Sequence, residues 1–320
     1  MMLLLEIKEK LKEFYYKNKN YIEPVWKFIA AAAAFMIIKQ ELGYNDKLVS
    51  LPVILVLALI AAFTGSGVFV FLAGVLTIGL VFSASPILAV FVALVYIIMY
   101  CMALRFTPKL MYILVLMPIF FVLKIPYAVV LIMGIVSTPA AILPVSCGII
   151  VYYMFLAIQT TANITFGVSM EDALNIYKIV ADHVFSNKEM LVQLLVFAIA
   201  LLVTYIIRRQ SVSHAFEMGI GAGAIVVVVG SLVGSMVFDT NDIFAVVVGT
   251  VVSALLALGV WFFRMGLDYT AVERIQFEDD DYYYYVKAVP KLSVTAPKKN
   301  VKRINNPKPS EEAAAEREEN

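Results

Sequence analysis

Charge is scarce in this chain: of 320 residues only 15% are Asp, Glu, Lys or Arg, against 62% hydrophobic. Soluble domains carry roughly 25% charged residues to keep a wettable surface. A water-soluble globule is therefore excluded, and a bilayer has to be the solvent. Histidine is scarcer still, with only His183 and His214, so a histidine-rich metal or catalytic cluster has no material to form from. Two cysteines, Cys101 and Cys147, sit inside apolar runs and define no disulfide framework. A net charge of +1 offers no basic surface to a nucleic acid. No run ending in Gly-Lys-Ser/Thr occurs, so the chain has no phosphate-binding loop and cannot hydrolyse ATP by that route. Long alternation of apolar and polar residues is missing too. Runs such as Ile225 to Val229 are apolar all round, which excludes a β-barrel.

What the chain has in excess is apolar runs of helix length, set by a hydrocarbon layer about 30 Å thick. They fall near 25–38, 48–63, 68–82, 86–104, 110–123, 190–207, 215–238 and 243–263. The stretch 125–158 holds either two short spans or one re-entrant pair. The expected fold is all-α, a polytopic transmembrane helix bundle of about ten spans, or eight plus a re-entrant hairpin. Three regions follow: a cytoplasmic amphipathic helix over 1–20, the bundle over 21–264 with an extracytoplasmic segment at 159–189, and a charged, mostly disordered cytoplasmic tail over 265–320.

Orientation follows from where Lys and Arg cluster beside span ends. Lys8, Lys10, Lys12, Lys17 and Lys19 precede the first span; Arg105 and Lys109 separate the fourth and fifth; Arg208 and Arg209 follow Ile207; Arg264 follows the last. Alternating crossings put all four clusters on one side, the cytoplasm, under either reading of 125–158. Both termini are then cytoplasmic.

The first residues do not form a cleavable signal, because charge follows the short apolar stub and does not precede it. Leu4, Ile7, Leu11 and Phe14 recur at helical spacing with charges between them, which suits the headgroup layer or the protein's own cytoplasmic loops. In the outer segment, Ser169 and Asp172 resemble a capping box, and Leu174, Tyr177, Ala181 and Val184 mark an apolar helix face, for a surface lid or a plain connector. His214 and Glu217 share a helix face as an interfacial pair or a pH-sensing one. Gly219, Gly223, Gly230 and Gly234 lie in one span at spacings that permit close helix packing inside the monomer.

Function is narrowed mainly by exclusion. No acid, lysine or arginine falls in the middle of a span, which argues against a proton-coupled antiporter. No enzyme activity, cofactor or metal is expected. The candidate pathway lies within 110–158, where the runs are short and Pro118, Pro126, Pro139 and Pro144 interrupt them. Ser137, Thr138, Pro139 and Ser146 are its candidate lining residues, with packing kinks as the alternative. The candidate partner-binding element is Asp279, Asp280, Asp281, Tyr282, Tyr283, Tyr284, Tyr285 and Val286 in a β-prone stretch at 277–289. It needs a partner strand from a second copy, from 292–294, or from another protein.

The tail run from Val272 through the acidic triplet and the four tyrosines to Lys291 resembles that of multi-pass membrane proteins of anaerobic Gram-positive bacteria, which carry an ABC-type permease-like label. The resemblance implies a bacterial cytoplasmic membrane and a transport role. The expected function is a membrane-spanning permease-type subunit energised by a separate chain, such as an ATPase docked on the tail. The alternative is a non-catalytic membrane scaffold whose tail recruits soluble partners. Homo-oligomers remain open, and the lipid bilayer is a partner in either case.

Overall fold

The computed structural model describes residues 2–43, 45, 48–162, 178–182, 184–210, 214–238, 243–265, 273–278 and 283–288. The chain forms two units, Lys12–Gly266 and a smaller one of Met1–Leu11 with Leu267–Asn320.

The helices are α1 (Met2–Lys17), α2 (Lys19–Leu42), α3 (Leu51–Phe63), α4 (Ser66–Ala84), α5 (Pro86–Phe106), α6 (Tyr112–Val122), α7 (Tyr127–Val136), α8 (Ile142–Ala162), α9 (Lys188–Arg208), α10 (Ala215–Phe238) and α11 (Ile243–Met265). A single 3-10 turn, Pro139–Ala141, leads into α8. Local chemistry sets the corners. Ser85 ends α4 and caps α5, its hydroxyl accepting from the Leu88 N–H, and Pro86 occupies the first turn where a missing N–H costs nothing. Asn187 caps α9 by accepting from Glu189 N and Met190 N.

Seven helices among the described residues are long and apolar enough to cross a membrane: α2, α4, α5, the Pro139–Thr160 stretch containing α8, α9, α10 and α11. Their outward faces carry Val90, Leu94, Ile225, Val229 and Met236, all exposed. Helices that are apolar even where no protein covers them belong in a bilayer, so this is a multi-pass membrane protein. α8 is its axis: 67% of its apolar window is buried, against 22–44% for the other six.

α3, α6 and α7 are apolar but have only 13, 11 and 10 residues. At 1.5 Å per residue, α6 and α7 reach only about 15–17 Å each, half the hydrocarbon thickness. The run at 110–123 is short of a full span, as its length predicts. One expectation is corrected: 125–158 is neither a pair of short spans nor a re-entrant pair by itself, since from Pro139 on it is one continuous long element, while the short partner of α7 is α6, one helix earlier.

Contacts fix the directions. At one end, called here the arginine end, the Ser66 hydroxyl at the start of α4 donates to the Pro108 carbonyl (2.7 Å), and Arg208 Nη2 donates to the Ser137 carbonyl (2.7 Å). At the opposite end Asn45 Nδ2 donates to Ser83 Oγ (3.1 Å), and Gln159 Nε2 donates to the Glu41 carbonyl (3.0 Å) and to its carboxylate. α6 starts beside Pro108 and α7 finishes beside Arg208, so both begin or end at the arginine end and are joined away from it. They form an antiparallel hairpin with splayed legs. α6 packs chiefly on α8, with α2 and α4 beside it; α7 packs on α9, α10 and α11.

The glycines of α10 behave as the spacing predicts. A Cβ at Gly219, Gly230 or Gly234 would crowd the Thr204 carbonyl, Val196 or Val192, and one at Gly223 would strike Thr204, so the whole stripe faces α9 within one chain. Of the expected outer helix, Ser169, Asp172, Leu174 and Tyr177 lie outside the described residues. The part described, 178–182, is helical, and Val180 and Val184 are buried one turn apart. In α1 the predicted apolar positions Ile7, Leu11 and Phe14 are exposed.

In the smaller unit, β1 (Glu273–Glu278) and β2 (Tyr283–Ala288) pair antiparallel, Ile275 opposite Val286 and Phe277 opposite Tyr284. The tyrosine strand thus has a partner upstream in the same chain, a source outside those expected, while 292–294 lie outside the described residues. Ile275 and Phe277 supply β-branched and aromatic residues at alternate positions, a pattern that the acids around them obscure. Residues 289–320, the bulk of the expected disordered tail, lie outside the described residues.

Candidate functional site

The junction of α6 and α7 is where helical bonding breaks inside the bundle. Leu123, Lys124 and Ile125 N–H groups close back on the carbonyls of Ile119, Phe121 and Phe120. Lys124 takes the left-handed conformation (φ 59°). Pro126 prevents the preceding residue from continuing a helix, which ends α6 and starts α7 afresh. Leu123 and Lys124 are exposed at this tip. Gly249 of α11 lies against it, where a Cβ would come 2.8 Å from the Lys124 carbonyl oxygen and 3.2 Å from the Tyr127 ring. Glycine is required there for close backbone approach.

Beneath the tip, five aromatic rings tie the hairpin to both sides of the bundle. Phe121 of α6 stacks on Tyr152 of α8 (4.3 Å between centroids, 12° between planes) and lies 6.1 Å from Phe197 of α9. Tyr127 of α7 meets Phe197 edge-on at 5.7 Å, and Tyr153 meets Tyr152 at 5.5 Å. The edges of this cluster are polar. The Tyr153 hydroxyl donates to the Glu189 carboxylate. Tyr127 and Tyr152 lie within electrostatic reach of that carboxylate, and Tyr152 also of Glu41. Gln193 Nε2 reaches Glu189 Oε1 at 3.5 Å, while its own Oε1 is buried with no donor among the described residues. Three phenols, the Glu189 carboxylate and the Gln193 carboxamide, from α7, α8 and α9, therefore gather beside a helix break, with Glu41 of α2 in electrostatic reach of Tyr152.

The residues predicted from sequence fall elsewhere along the same elements. Ser137, Thr138 and Pro139 form the turn from α7 into α8 at the arginine end. Thr138 is exposed, Ser137 and Pro139 are half-buried, and Ser137 serves Arg208 through its carbonyl. Ser146 is half-buried on the second turn of α8. None of the four lines any of the three cavities described for the bundle. The break therefore brings together Tyr127, Tyr152, Tyr153, Glu189 and Gln193, which spacing alone does not single out. Tyr152 and Tyr153 read as aromatics in an apolar run, and Glu189 as an ordinary first-turn acid. The one legible sign was Lys124-Ile125-Pro126, a charge and a helix breaker between two apolar runs.

Of the partner-binding stretch, Asp279 to Tyr282 lie outside the described residues, and Tyr283 to Val286 form the first four positions of β2. His214 and Glu217 do meet side chain to side chain at the start of α10, His214 exposed and Glu217 half-buried. Among the described residues no group of three His, Cys, Asp or Glu side chains is placed to hold a metal ion. No protein-family model matches the chain, and neither a curated protein nor a solved structure does.

Proposed function

We propose that this chain is the membrane-spanning subunit of a transport system, with the α6–α7 hairpin lining its pathway. The observation that carries the proposal is the hairpin itself: two half-length helices entering from one end, turning back beside a polar cluster, each leg packed in a different set of helices. Non-helical backbone at membrane depth is tolerated where protein or a water-filled cavity surrounds it. In many transporters such broken helices build the substrate site, and motion of one helix set against the other opens it to either face. The buried Gln193 oxygen beside the tip is an acceptor for which water or a ligand group is the natural donor.

On this reading the seven long helices together with α3, which runs from the Asn45 end to the Ser66 end, make eight crossings beside the hairpin, and the basic clusters at the arginine end favour that end as cytoplasmic. The bacterial membrane and the permease role are further supported by the tail's resemblance. The chain has no phosphate-binding loop, so ATP-driven transport on this reading takes its energy from a separate subunit. Single cysteines from Pro118 to Cys147, in a background lacking Cys101 and Cys147, test the pathway with a small hydrophilic thiol reagent. Helical periodicity of labelling toward Tyr127 and the tip is the expected result. Protection along both legs would sink the pathway.

A second reading rests on the β hairpin. Among the described residues it has two strands, and such a pair is marginal alone and leaves edges open to strand addition. The chain is then a scaffold. A protected scan, together with loss of its cellular role when Tyr282 to Tyr285 are changed to serine, would favour it over transport.

A further inference from the structure

A cavity outside the hairpin site lies at the arginine end, between α2, the α3–α4 corner and the start of α6. Its volume is about 320 Å³, at the small end of the roughly 300–1,000 Å³ of ligand pockets. Small residues create it. Ala30 and Ala31, from the run of five alanines in α2, line it together with Ala61, Gly65, Phe69 and Leu116. The walls are thus mostly apolar.

The mouth is different. Trp26 and Lys27 stand at it, both exposed, with Val25 beside them also exposed toward the bilayer. Thr64 and Ser66 form the polar rim, but their hydroxyl protons are committed to the Ile60 and Pro108 carbonyls (2.8 and 2.7 Å). Lys27 is therefore the cationic donor of this rim. The acid one turn before it, Glu23, is bound instead to Lys19 (3.6 Å), and no carboxylate among the described residues pairs with Lys27. Trp and Lys side by side at a span end mark the headgroup level, where an indole and a snorkelling ammonium are both well solvated.

We infer that this groove binds one acyl chain of an anionic phospholipid, whose phosphate pairs with Lys27 while the chain fills the alanine-walled space. A free phosphate would gain nothing from the apolar walls, and a zwitterionic lipid offers Lys27 a phosphate already countered by its own headgroup cation; an anionic lipid uses both the walls and the uncompensated charge. A bound lipid at this place would wedge α2 against α3, α4 and α6, the set holding one leg of the hairpin. The inference requires only that the chain sits in a bilayer and stands apart from the transport proposal.

Trp261→Phe leaves Trp26 as the lone tryptophan and makes the groove directly observable. The protein is reconstituted in phosphatidylcholine vesicles containing a small fraction of phosphatidylglycerol, with brominated chains on one lipid or the other. Brominated phosphatidylglycerol should quench Trp26 as though enriched about fivefold, the factor expected for one lysine near the surface. Lys27→Gln should bring quenching down to the bulk ratio, Lys27→Arg should retain the preference, and Ala30→Leu, by filling the groove, should weaken quenching by both lipids. Equal quenching by the two lipids, or a preference that survives Lys27→Gln, would overturn the assignment. So would reversal by excess inorganic phosphate, since that outcome makes the site a free-anion site.

Discussion

Single atoms decide how closely these helices approach. Gly74 of α4 lies under the ring of Tyr96 in α5, so that an added methyl would overlap the ring carbons. The ring cannot swing aside freely, because it is 5% exposed and its hydroxyl donates to the Val70 carbonyl at 2.9 Å. Buried serine and threonine hydroxyls among the described residues are satisfied within their own helices: Thr77 bonds Ala73, Thr204 bonds Ala200 and Ser253 bonds Gly249. Tyr96 differs in bonding across to a neighbouring helix. Gly74→Ala should therefore destabilise by about 1–3 kcal/mol through overpacking. Tyr96→Phe should cost only about 1 kcal/mol, the worth of one hydrogen bond. Thermal unfolding in detergent ranks the two, and a neutral Gly74→Ala would mean that α4 and α5 lie farther apart than described.

At the scale of elements the hairpin depends on two fastenings. The aromatic cluster holds its tip, and Arg208 holds its open end by donating to the Ser137 carbonyl where α7 stops. That carbonyl is among those a helix end leaves without an internal partner, and a cation there also suits the helix dipole. The guanidinium is steadied over the Tyr205 ring, 5.0 Å from its centroid. Arg208→Gln should release residues 137–141 and raise their amide hydrogen exchange, with an overall loss of about 1.5–3 kcal/mol for a hydrogen bond to a charged group. Arg208→Lys should recover only part, since an ammonium lacks the planar stacking face. Exchange at 137–141 that stays at the native level in Arg208→Gln would show that the 3-10 turn, and not Arg208, holds the hairpin's foot.

For the whole molecule the open quantity is sidedness. Arg105, Lys109, Arg208 and Arg209 converge at one end through contacts independent of any charge rule, whereas Glu41 and Glu189 belong to the other. The positive-inside tendency then orients the bundle as one body. Cysteines placed at Ser186 or Asn241, in the background lacking Cys101 and Cys147, should react with an impermeant thiol reagent in intact cells. Cysteines at Ser211 or Ser310 should not. Labelling at Ser211 from outside would invert the bundle and move the proposed lipid groove to the outer leaflet.

Membrane residence, most helix positions and the inward glycine stripe of α10 were legible in the residues, because hydrocarbon leaves the backbone few choices and helix length follows from bilayer thickness. The weakness of 110–158 was legible too, through its prolines and Lys124. Which short helix pairs with which was not. Periodicity describes one helix at a time, and the partnership of α6 with α7 depends on α8 and α9 filling the space between the splayed legs. The polar cluster was hidden for the same reason: Glu189, Gln193, Tyr127 and the Tyr152-Tyr153 doublet lie up to 66 positions apart, and nothing local marks them as neighbours. The upstream strand partner of the tyrosines was not foreseen because register depends on pairing, which a single strand's propensity does not encode. Composition thus determined the solvent and the elements, and tertiary packing alone decided where the helices break and what gathers at the break.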